Sequence, residues 1–390
     1  MRSCAICAEE GHTLIHRQEF LFPGQESEAH YDVVACEACG FVFASDIPEQ
    51  ASLNDFYQAA EHHLHATHLP DGLRDIHADF FDFIQQHAPS SAGTRVVDIG
   101  CGMGHFLNHF KTAGFHQLLG IEPSPAAARL ARALYGIEVV PDTIDNYQTD
   151  ETYDLVTLCG VLEHIADLDT AIGKIAALLG PGGTLFVAVP DATTFGQAPP
   201  HEPFLEFALE HINFFSQASL DHLLDRNGLQ RVHCETHWNG LYRNHYILAL
   251  YRRATEPSSS SFFERDSTCA ESVERYVLLS GQRLAETINM IKPLVESQEP
   301  LVIWGAGSLT ARLMCTTPLR QANITGIIDR NAQLQGKHLG GIPISSPSSI
   351  TGHAGATVFI ASTSYAKEIS DELSTEHAWV GRIISLSASA

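Results

Sequence analysis

The run Val96-Val97-Asp98-Ile99-Gly100-Cys101-Gly102-Met103-Gly104 joins an apolar stretch to a carboxylate and three glycines at alternate positions. It reads as a buried strand that leaves the sheet through a tight turn and opens a helix. Gly100, Gly102 and Gly104 let the backbone approach a ligand where any Cβ would clash. The spacing D-x-G-x-G-x-G departs from the G-x-G-x-x-G of dinucleotide sites. Glu122, in Gly120-Ile121-Glu122-Pro123, closes the next apolar run. A carboxylate at that point can accept both hydroxyls of a ribose. Asp98, the three glycines and Glu122 are therefore candidate binding residues for a nucleoside-bearing ligand.

Outward from this turn, strand and helix patterns alternate. Ile76, Phe80, Phe83 and Ile84 recur at helical spacing over 75–88, and Pro125–Tyr135 is also helix-like. Strands are predicted at Arg95–Ile99, Leu118–Ile121, Glu138–Val140, Tyr153–Leu158, Thr184–Val189 and Tyr246–Tyr251. Such alternation predicts an α/β fold, a mainly parallel sheet covered by helices. Residues 1–70 are expected to be irregular. Arg253-Ala254-Thr255-Glu256-Pro257 and the serines Ser258 to Ser261 read as a boundary. Val273, Val277, Leu284, Ile288 and Ile291 then mark a long helix. A second small α/β pattern follows, with strands expected at Leu301–Trp304, Ile324–Ile328, Thr357–Ile360 and Arg382–Leu386. The expected organisation is an N-terminal domain over 1–74, a central α/β core over 75–255 and a C-terminal Rossmann-like domain with its leading helix over 256–390.

The 390 residues are 44% hydrophobic and 18% charged, which suits packed cores, and the net charge of −23 repels phosphate backbones. General nucleic-acid binding is thereby disfavoured. No stretch of about 18 apolar residues suggests a membrane span. Met1-Arg2-Ser3-Cys4 lacks the apolar run of a signal peptide, so a cytoplasmic setting with reduced thiols is expected. Of the nine cysteines, four form Cys4-x-x-Cys7 and Cys36-x-x-Cys39. Two CxxC turns can point four thiolates at one tetrahedral Zn2+, and a closed shell of that kind is structural rather than catalytic. Gly40 suits the tight knuckle after Cys39. His62, His63, His65 and His68 lie close together in sequence but lack the spacing of a specific metal site, and a cleft-lining or solvated segment is the simpler reading.

The D-x-G-x-G-x-G turn followed by Glu122 resembles motif I of class I S-adenosylmethionine (SAM) methyltransferases. Tyr153-Asp154-Leu155-Val156 is similar to the family's fourth strand, and Val161-Leu162-Glu163-His164 follows it. Leu178-Leu179-Gly180-Pro181-Gly182-Gly183 resembles the L-x-P-G-G turn before the fifth strand. The resemblance implies SAM at Asp98, Gly100, Gly102, Gly104 and Glu122, with Asp142 and Thr143 near the adenine.

Glu163-His164 and Glu210-His211 place two histidines in this setting, the first at the C-terminal edge of a central strand, where open α/β sheets bind ligands. Methylation of carbon requires the carbon to lose a proton, and a base plus a donor at the developing enolate oxygen would serve. His211 is the candidate base, His164 the candidate donor or orienting group, and Glu210 a third catalytic candidate.

The whole chain resembles the nucleotide-sugar C-methyltransferases, which combine a Cys4 zinc N-terminus, a SAM domain and a C-terminal α/β domain. Those enzymes act on TDP-linked 4-keto-deoxysugars. The resemblance implies zinc at Cys4, Cys7, Cys36 and Cys39 and a small-molecule substrate, with no nucleic-acid or membrane partner. Ala208-Leu209-Glu210-His211 stands where that family carries Tyr-Asp-Glu-His, and the resemblance sets Tyr57 against a second family tyrosine. O- or N-methylation of another metabolite or glycan, and a non-catalytic SAM- or nucleotide-binding protein, are the alternatives.

In the C-terminal pattern, Trp304-Gly305-Ala306-Gly307 precedes a helix, Thr310 stands in place of a third glycine and Asp329 ends the next strand. This incomplete motif is compatible with a second cofactor, with the nucleotide end of a substrate, or with packing alone. Arg312, Arg320, Arg330 and Lys337 are either pyrophosphate partners or ordinary solvated cations.

Overall fold

Strands form well before the glycine-rich turn: His12–Leu21 (β1), Glu28–Cys36 (β2) and Val42–Ala44 (β3). The computed structural model describes residues 2–21, 28–47, 71–88, 90–208, 210–240, 243–254, 265–363 and 365–386. Tyr57, the four histidines between 62 and 68, and Ser258 to Ser261 lie outside them. The irregular N-terminus expected from sequence is thus replaced, in part, by a four-stranded sheet. Its signal was hidden because β1 mixes exposed and half-buried His, Thr, Arg and Glu with only a few buried positions, one of them the polar Gln18.

The chain divides into two units. The first comprises Met1–Leu14, Val34–Phe195 and Glu210–Val273; the second comprises Ile15–Val33, Gly196–Leu209 and Glu274–Ala390.

In the first unit the elements run α1 (Asp71–His87), β4 (Arg95–Ile99), α2 (His105–Thr112), β5 (Gln117–Ile121), α3 (Pro125–Tyr135) and β6 (Glu138–Val140). They continue with β7 (Tyr153–Cys159), α4 (Leu168–Leu178), β8 (Leu179–Pro190), β9 (Asn213–Phe214), α5 (Gln217–Arg226), β10 (Leu229–Asn239) and β11 (Asn244–Arg253). Local chemistry fixes the helix ends. Ser124 caps α3 by accepting from the Ala127 N–H, Pro125 starts that helix, and Gly136 ends it at φ 60°. Asp167 caps α4 through the Thr170 N–H, and Ser216 with Ser219 forms a capping box on α5.

The main sheet has the order β10-β11-β8-β7-β4-β5-β6. Strands β6, β5, β4, β7 and β8 are parallel, while β11 pairs antiparallel with β8 and β10 antiparallel with β11. From β4 the chain builds outward through β5 and β6, then returns to the other flank with β7. The strand order therefore reverses between β4 and β7, and ligands bind beyond the carboxyl ends of strands at such a switch point. The segment expected to be a turn before the fifth strand is already part of β8, because Leu179 pairs with Tyr153 ahead of a register shift. One core runs from Cys4, Cys36, Phe41 and Phe43 through Val97, Val156, Leu158 and Val187 to Leu220 and Tyr251. The opposite face of the sheet packs Phe80, Ile84, Phe106, Phe110 and Phe186.

Strands β1, β2, β3 and β9 form the smaller sheet in that order, with Val42 opposite Phe214 and Phe43 opposite Asn213. Helix α6 spans Ser267–Ser297. The second unit then carries β12 (Leu301–Trp304), α7 (Ser308–Thr316), β13 (Ile324–Ile328), β14 (His338–Leu339), β15 (Ile342–Ser345), β16 (Thr357–Ile360), α8 (Ala366–Thr375) and β17 (Ile383–Ser385). Its sheet order is β14-β15-β13-β12-β16-β17, parallel except for the β14–β15 pair. Arg312 is not a solvated surface cation: it is fully buried and donates to the carbonyls of Pro203 (2.7 Å) and Phe207 (2.9 Å). Arg330 is likewise engaged, by Glu368 and Glu372. No helix among the described residues is long and apolar enough to cross a membrane.

Candidate active site

The turn after β4 is held against β5 by its own backbone. The N–H groups of Gly100 and Cys101 donate to the Ile121 carbonyl at 2.8 and 3.2 Å. Gly100, Gly102 and Gly104 all have positive φ, at 71°, 52° and 76°, where a side chain is strained. A Cβ on Gly100 would strike Val161 at 2.7 Å, whereas one on Gly102 would point into open space. That space is the kind of cradle a ligand fills.

Glu122 lies directly beyond β5. Its carboxylate accepts from the Gly102 N–H and from the Ser124 N–H, both at 2.9 Å. These two bonds aim the carboxylate across the turn, and a carboxylate's acceptor oxygens are the chemistry that ribose hydroxyls require. Glu122 and Asp142 stand at neighbouring strand ends, since the Glu122 N–H donates to Val140. Asp142 accepts from the Thr143 N–H at 2.8 Å, and the Thr143 hydroxyl oxygen is buried with no protein partner among the described residues. A buried polar atom in that condition suits an external donor or acceptor. Glycine cradle, aimed carboxylate and orphaned hydroxyl together fit the nucleoside part of SAM.

Asp98 is sealed beneath the turn, 2% exposed, and accepts from the Thr157 hydroxyl at 2.6 Å. Burial raises its pKa to about 7; the Thr157 hydrogen bond opposes the rise and the Glu122 charge adds to it. Its role in this geometry is to brace β4 against β7. An acid whose folded pKa lies above its unfolded value favours the fold most at low pH and loses that contribution as pH climbs toward about 7. Asp98→Asn is therefore expected to gain stability relative to the parent between pH 4 and 7, as read by urea melts across that window. A constant difference over that range would contradict the burial argument.

Across the switch point, the segment after β7 carries Glu163 and His164, and the segment before β9 carries Glu210 and His211. The His164 and His211 ring centroids stand 4.9 Å apart at 63°. The carboxylate gathered with these two rings is that of the buried Glu163. Sequence reasoning put forward Glu210 instead; its contribution here is a backbone carbonyl, 2.9 Å from His164 Nδ1. A carbonyl can only accept, so Nδ1 carries the proton and Nε2 of a neutral His164 is an acceptor. His164 can thus donate through Nε2 only as an imidazolium.

Residues without a sequence signature lock these two segments together. The Asn213 amide donates to the carbonyls of Leu162 (2.8 Å) and Ile165 (2.7 Å), and the Ile212 N–H donates to Glu163 at 2.8 Å. Arg2 donates to the carbonyls of Ala44 (2.8 Å), Ala166 (3.2 Å) and Ile212 (2.6 Å), and to Asn213 Oδ1 (2.7 Å). Burial lowers the Arg2 pKa to about 10, which leaves it charged at neutral pH.

The cysteine quartet forms one cluster. Sγ of Cys4 is 3.5 Å from Cys39 and Sγ of Cys7 is 3.5 Å from Cys36. Four thiolates about 2.3 Å from one ion would stand roughly 3.8 Å apart in a tetrahedron, so the set fits Zn2+ with little adjustment. Hydrogen bonds from Cys39 and nearby backbone draw the Cys4 thiol down, to about 5. Gly40 is obligatory at the second knuckle: φ is 80° and a Cβ would lie 2.0 Å from the Asp266 carbonyl.

Residues 66–234 match the family described as methyltransferase domain, and residues 297–384 match the family described as C2185-like, N-terminal. The first of these defines the class: the chain carries a SAM-dependent methyltransferase domain. More particularly, the C-methyltransferase NovU of Streptomyces niveus is 24% identical over 367 residues, covering 89% of this chain and 84% of that one. The ubiquinone biosynthesis O-methyltransferase of Nitrobacter winogradskyi is 33% identical over 118 residues, 29% of this chain and 45% of that enzyme. This chain therefore spans about half the length of the ubiquinone-type curated relatives it matches. Among solved structures, the Burkholderia thailandensis 1,6-didemethyltoxoflavin-N1-methyltransferase with bound S-adenosylhomocysteine aligns at a TM-score of 0.42 and 18% identity, over 56% of this chain and 98% of that one.

Proposed function

We propose that this protein is a SAM-dependent C-methyltransferase acting on a nucleotide-linked keto-sugar or related small molecule through base-assisted enolate formation. The observation that carries the reading is the pairing of His164 and His211 at 4.9 Å beside Glu163, in the segment after β7 whose Val161 packs over Gly100 of the turn. The likeness to NovU over most of both chains supports the carbon-directed choice. Gly100, Gly102, Gly104, Glu122, Asp142 and Thr143 hold SAM, with Asp98 supporting the turn. Bound SAM supplies an electrophilic methyl group on a sulfonium. His211 removes the proton from the carbon beside the ketone. His164, as an imidazolium held by the Glu210 carbonyl and flanked by Glu163, stabilises the enolate oxygen. Cys4, Cys7, Cys36 and Cys39 hold a structural zinc within a three-part organisation over 1–74, 75–255 and 256–390.

Incubation of a TDP-4-keto-6-deoxysugar with the protein in D2O, without SAM, tests the acceptor atom. Deuterium is expected at the carbon next to the ketone, above the rate seen with His211→Ala. Absence of exchange, with methyl transfer to a hydroxyl or amine instead, would favour the second reading. That reading is O- or N-methylation, which Ala208 supports by offering no phenol beside the Glu-His pair.

Glu122→Gln exchanges a charged acceptor for a neutral one and sets an amide N–H against a backbone N–H. SAM affinity is expected to fall about tenfold to a hundredfold, since a hydrogen bond to a charged group contributes about 1.5–3 kcal/mol. Calorimetry on the folded variant, well below its own melting temperature, checks this; unaltered affinity would remove Glu122 from the ribose site.

A further inference from the structure

Arg2 is a charged side chain set among neutral partners. Its Nε donates to the Ala44 carbonyl at 2.8 Å, Nη1 to the Ala166 carbonyl at 3.2 Å, and Nη2 to the Ile212 carbonyl at 2.6 Å and Asn213 Oδ1 at 2.7 Å. The guanidinium carbon stands 5.2 Å over the Phe43 ring. Among the described residues, no carboxylate is one of its hydrogen-bond partners. Desolvating a charge without a counter-charge is costly, and apolar side chains of similar volume often fill such places at less cost. An apolar chain cannot hold several carbonyls at once, whereas the planar guanidinium aims N–H donors in several fixed directions.

The partners lie beside the histidine pair. Ala166 is two residues beyond His164, and Ile212 directly follows His211. Ala44 ends β3, and its N–H donates to the same Ile212 carbonyl at 2.9 Å. Asn213 is oriented by the contact. A guanidinium only donates, so the amide oxygen turns to Arg2 and the amide nitrogen is left for the Leu162 and Ile165 carbonyls, on either side of Glu163-His164. Arg2 is itself fixed from behind: its N–H donates to the Ser45 carbonyl at 3.1 Å, and Cys4 of the cysteine cluster follows two residues on.

We propose that Arg2 is a positioning residue: by bridging the backbone after His164 to the backbone after His211, it sets the mutual geometry of the two imidazoles. The inference rests on the catalytic reading of that pair. Such a brace matters because a misplacement of about 1 Å can cost roughly a hundredfold in rate. None of the hydrogen bonds of the guanidinium goes to a cradle residue, so the effect falls on turnover and not on SAM affinity.

The test compares Arg2→Met, Arg2→Lys and Phe83→Leu in the full-length chain. Phe83 lies in the core on the opposite face of the main sheet, so its substitution lowers stability without touching either histidine segment. Arg2→Met is expected to lower kcat for methylation of a TDP-4-keto-6-deoxysugar about tenfold to a hundredfold. KM and SAM affinity should stay within about threefold of the parent, and the metal content should be equal. Arg2→Lys should recover only part of the rate, because one ammonium cannot meet carbonyls from three segments. If Arg2→Met fails to fold, Arg2→Lys carries the same readouts. NMR of 15N-histidine-labelled protein needs no acceptor: the His164 tautomer should be the same in the parent and Phe83→Leu, and averaged in Arg2→Met. If the parent methylates no keto-sugar, the catalytic reading falls and the NMR comparison alone decides on Arg2. An unchanged His164 tautomer in the Arg2 variants, full recovery in Arg2→Lys, loss of metal in Arg2→Met, or an equal loss of kcat in Phe83→Leu would overturn the proposal.

Discussion

His211→Ala is expected to lower methyl transfer by about a hundredfold or more, the usual contribution of a positioned general base. SAM affinity should stay within about twofold of the parent. The separation follows from the architecture: the cradle is built from the ends of β4, β5 and β6, whereas His211 sits before β9 beside His164. The backbone around position 211 is independently secured, because Asn213 and Arg2 hold the neighbouring carbonyls. Loss of the imidazole should therefore remove chemistry without loosening the segment. A pH–rate profile gives the second readout: the limb belonging to the base should disappear in the variant. Unchanged turnover would exclude His211 as the base. A parallel loss of SAM binding would make it a structural residue.

Cys36→Ser carries the largest expected cost in stability. Cys36 is fully buried in the core shared with Val97, Val156 and Leu158, and its Sγ lies 3.5 Å from that of Cys7. The substitution removes a proposed zinc ligand and puts a hydroxyl where no metal satisfies it. Loss of a metal belongs to the small set of changes that cost about 4 kcal/mol or more. For a unit of this size that is a drop of roughly 10 °C in melting temperature. Elemental analysis should find one zinc in the parent and much less in the variant, and a strong chelator should reproduce the destabilisation. Equal zinc content and equal melting in both proteins would rule out a structural ion at the quartet.

How much of this was legible in the chain depended on whether a residue acts through local pattern or through distant backbone. The turn at 98–104 could be read because three positive-φ positions demand glycine at fixed spacing. The parallel strands could be read because β4, β7 and β8 are nearly continuous apolar runs, buried on both faces. Strand β10 escaped notice because it is an edge strand whose residues are mostly exposed or half-buried, so its composition (LQRVHCETHWN) has no apolar alternation. Arg2 gave no warning either. Three of its partners are main-chain carbonyls from three separate segments, and carbonyls have no signature in sequence. The gathering of Glu163 with His164 and His211 has a similar origin: two Glu-His pairs look alike as letters, and only the fold brings the first carboxylate together with both rings.

The central claim is that the cradle after β4, with Glu122 aimed by Gly102 and Ser124, binds SAM. Isothermal calorimetry of the purified full-length chain with S-adenosylhomocysteine tests it most directly. One-to-one binding, weakened in Glu122→Gln while a fold-neutral surface variant such as His237→Ala keeps it, is the predicted result. No binding heat at any temperature tried, together with no shift in melting temperature, would contradict the account.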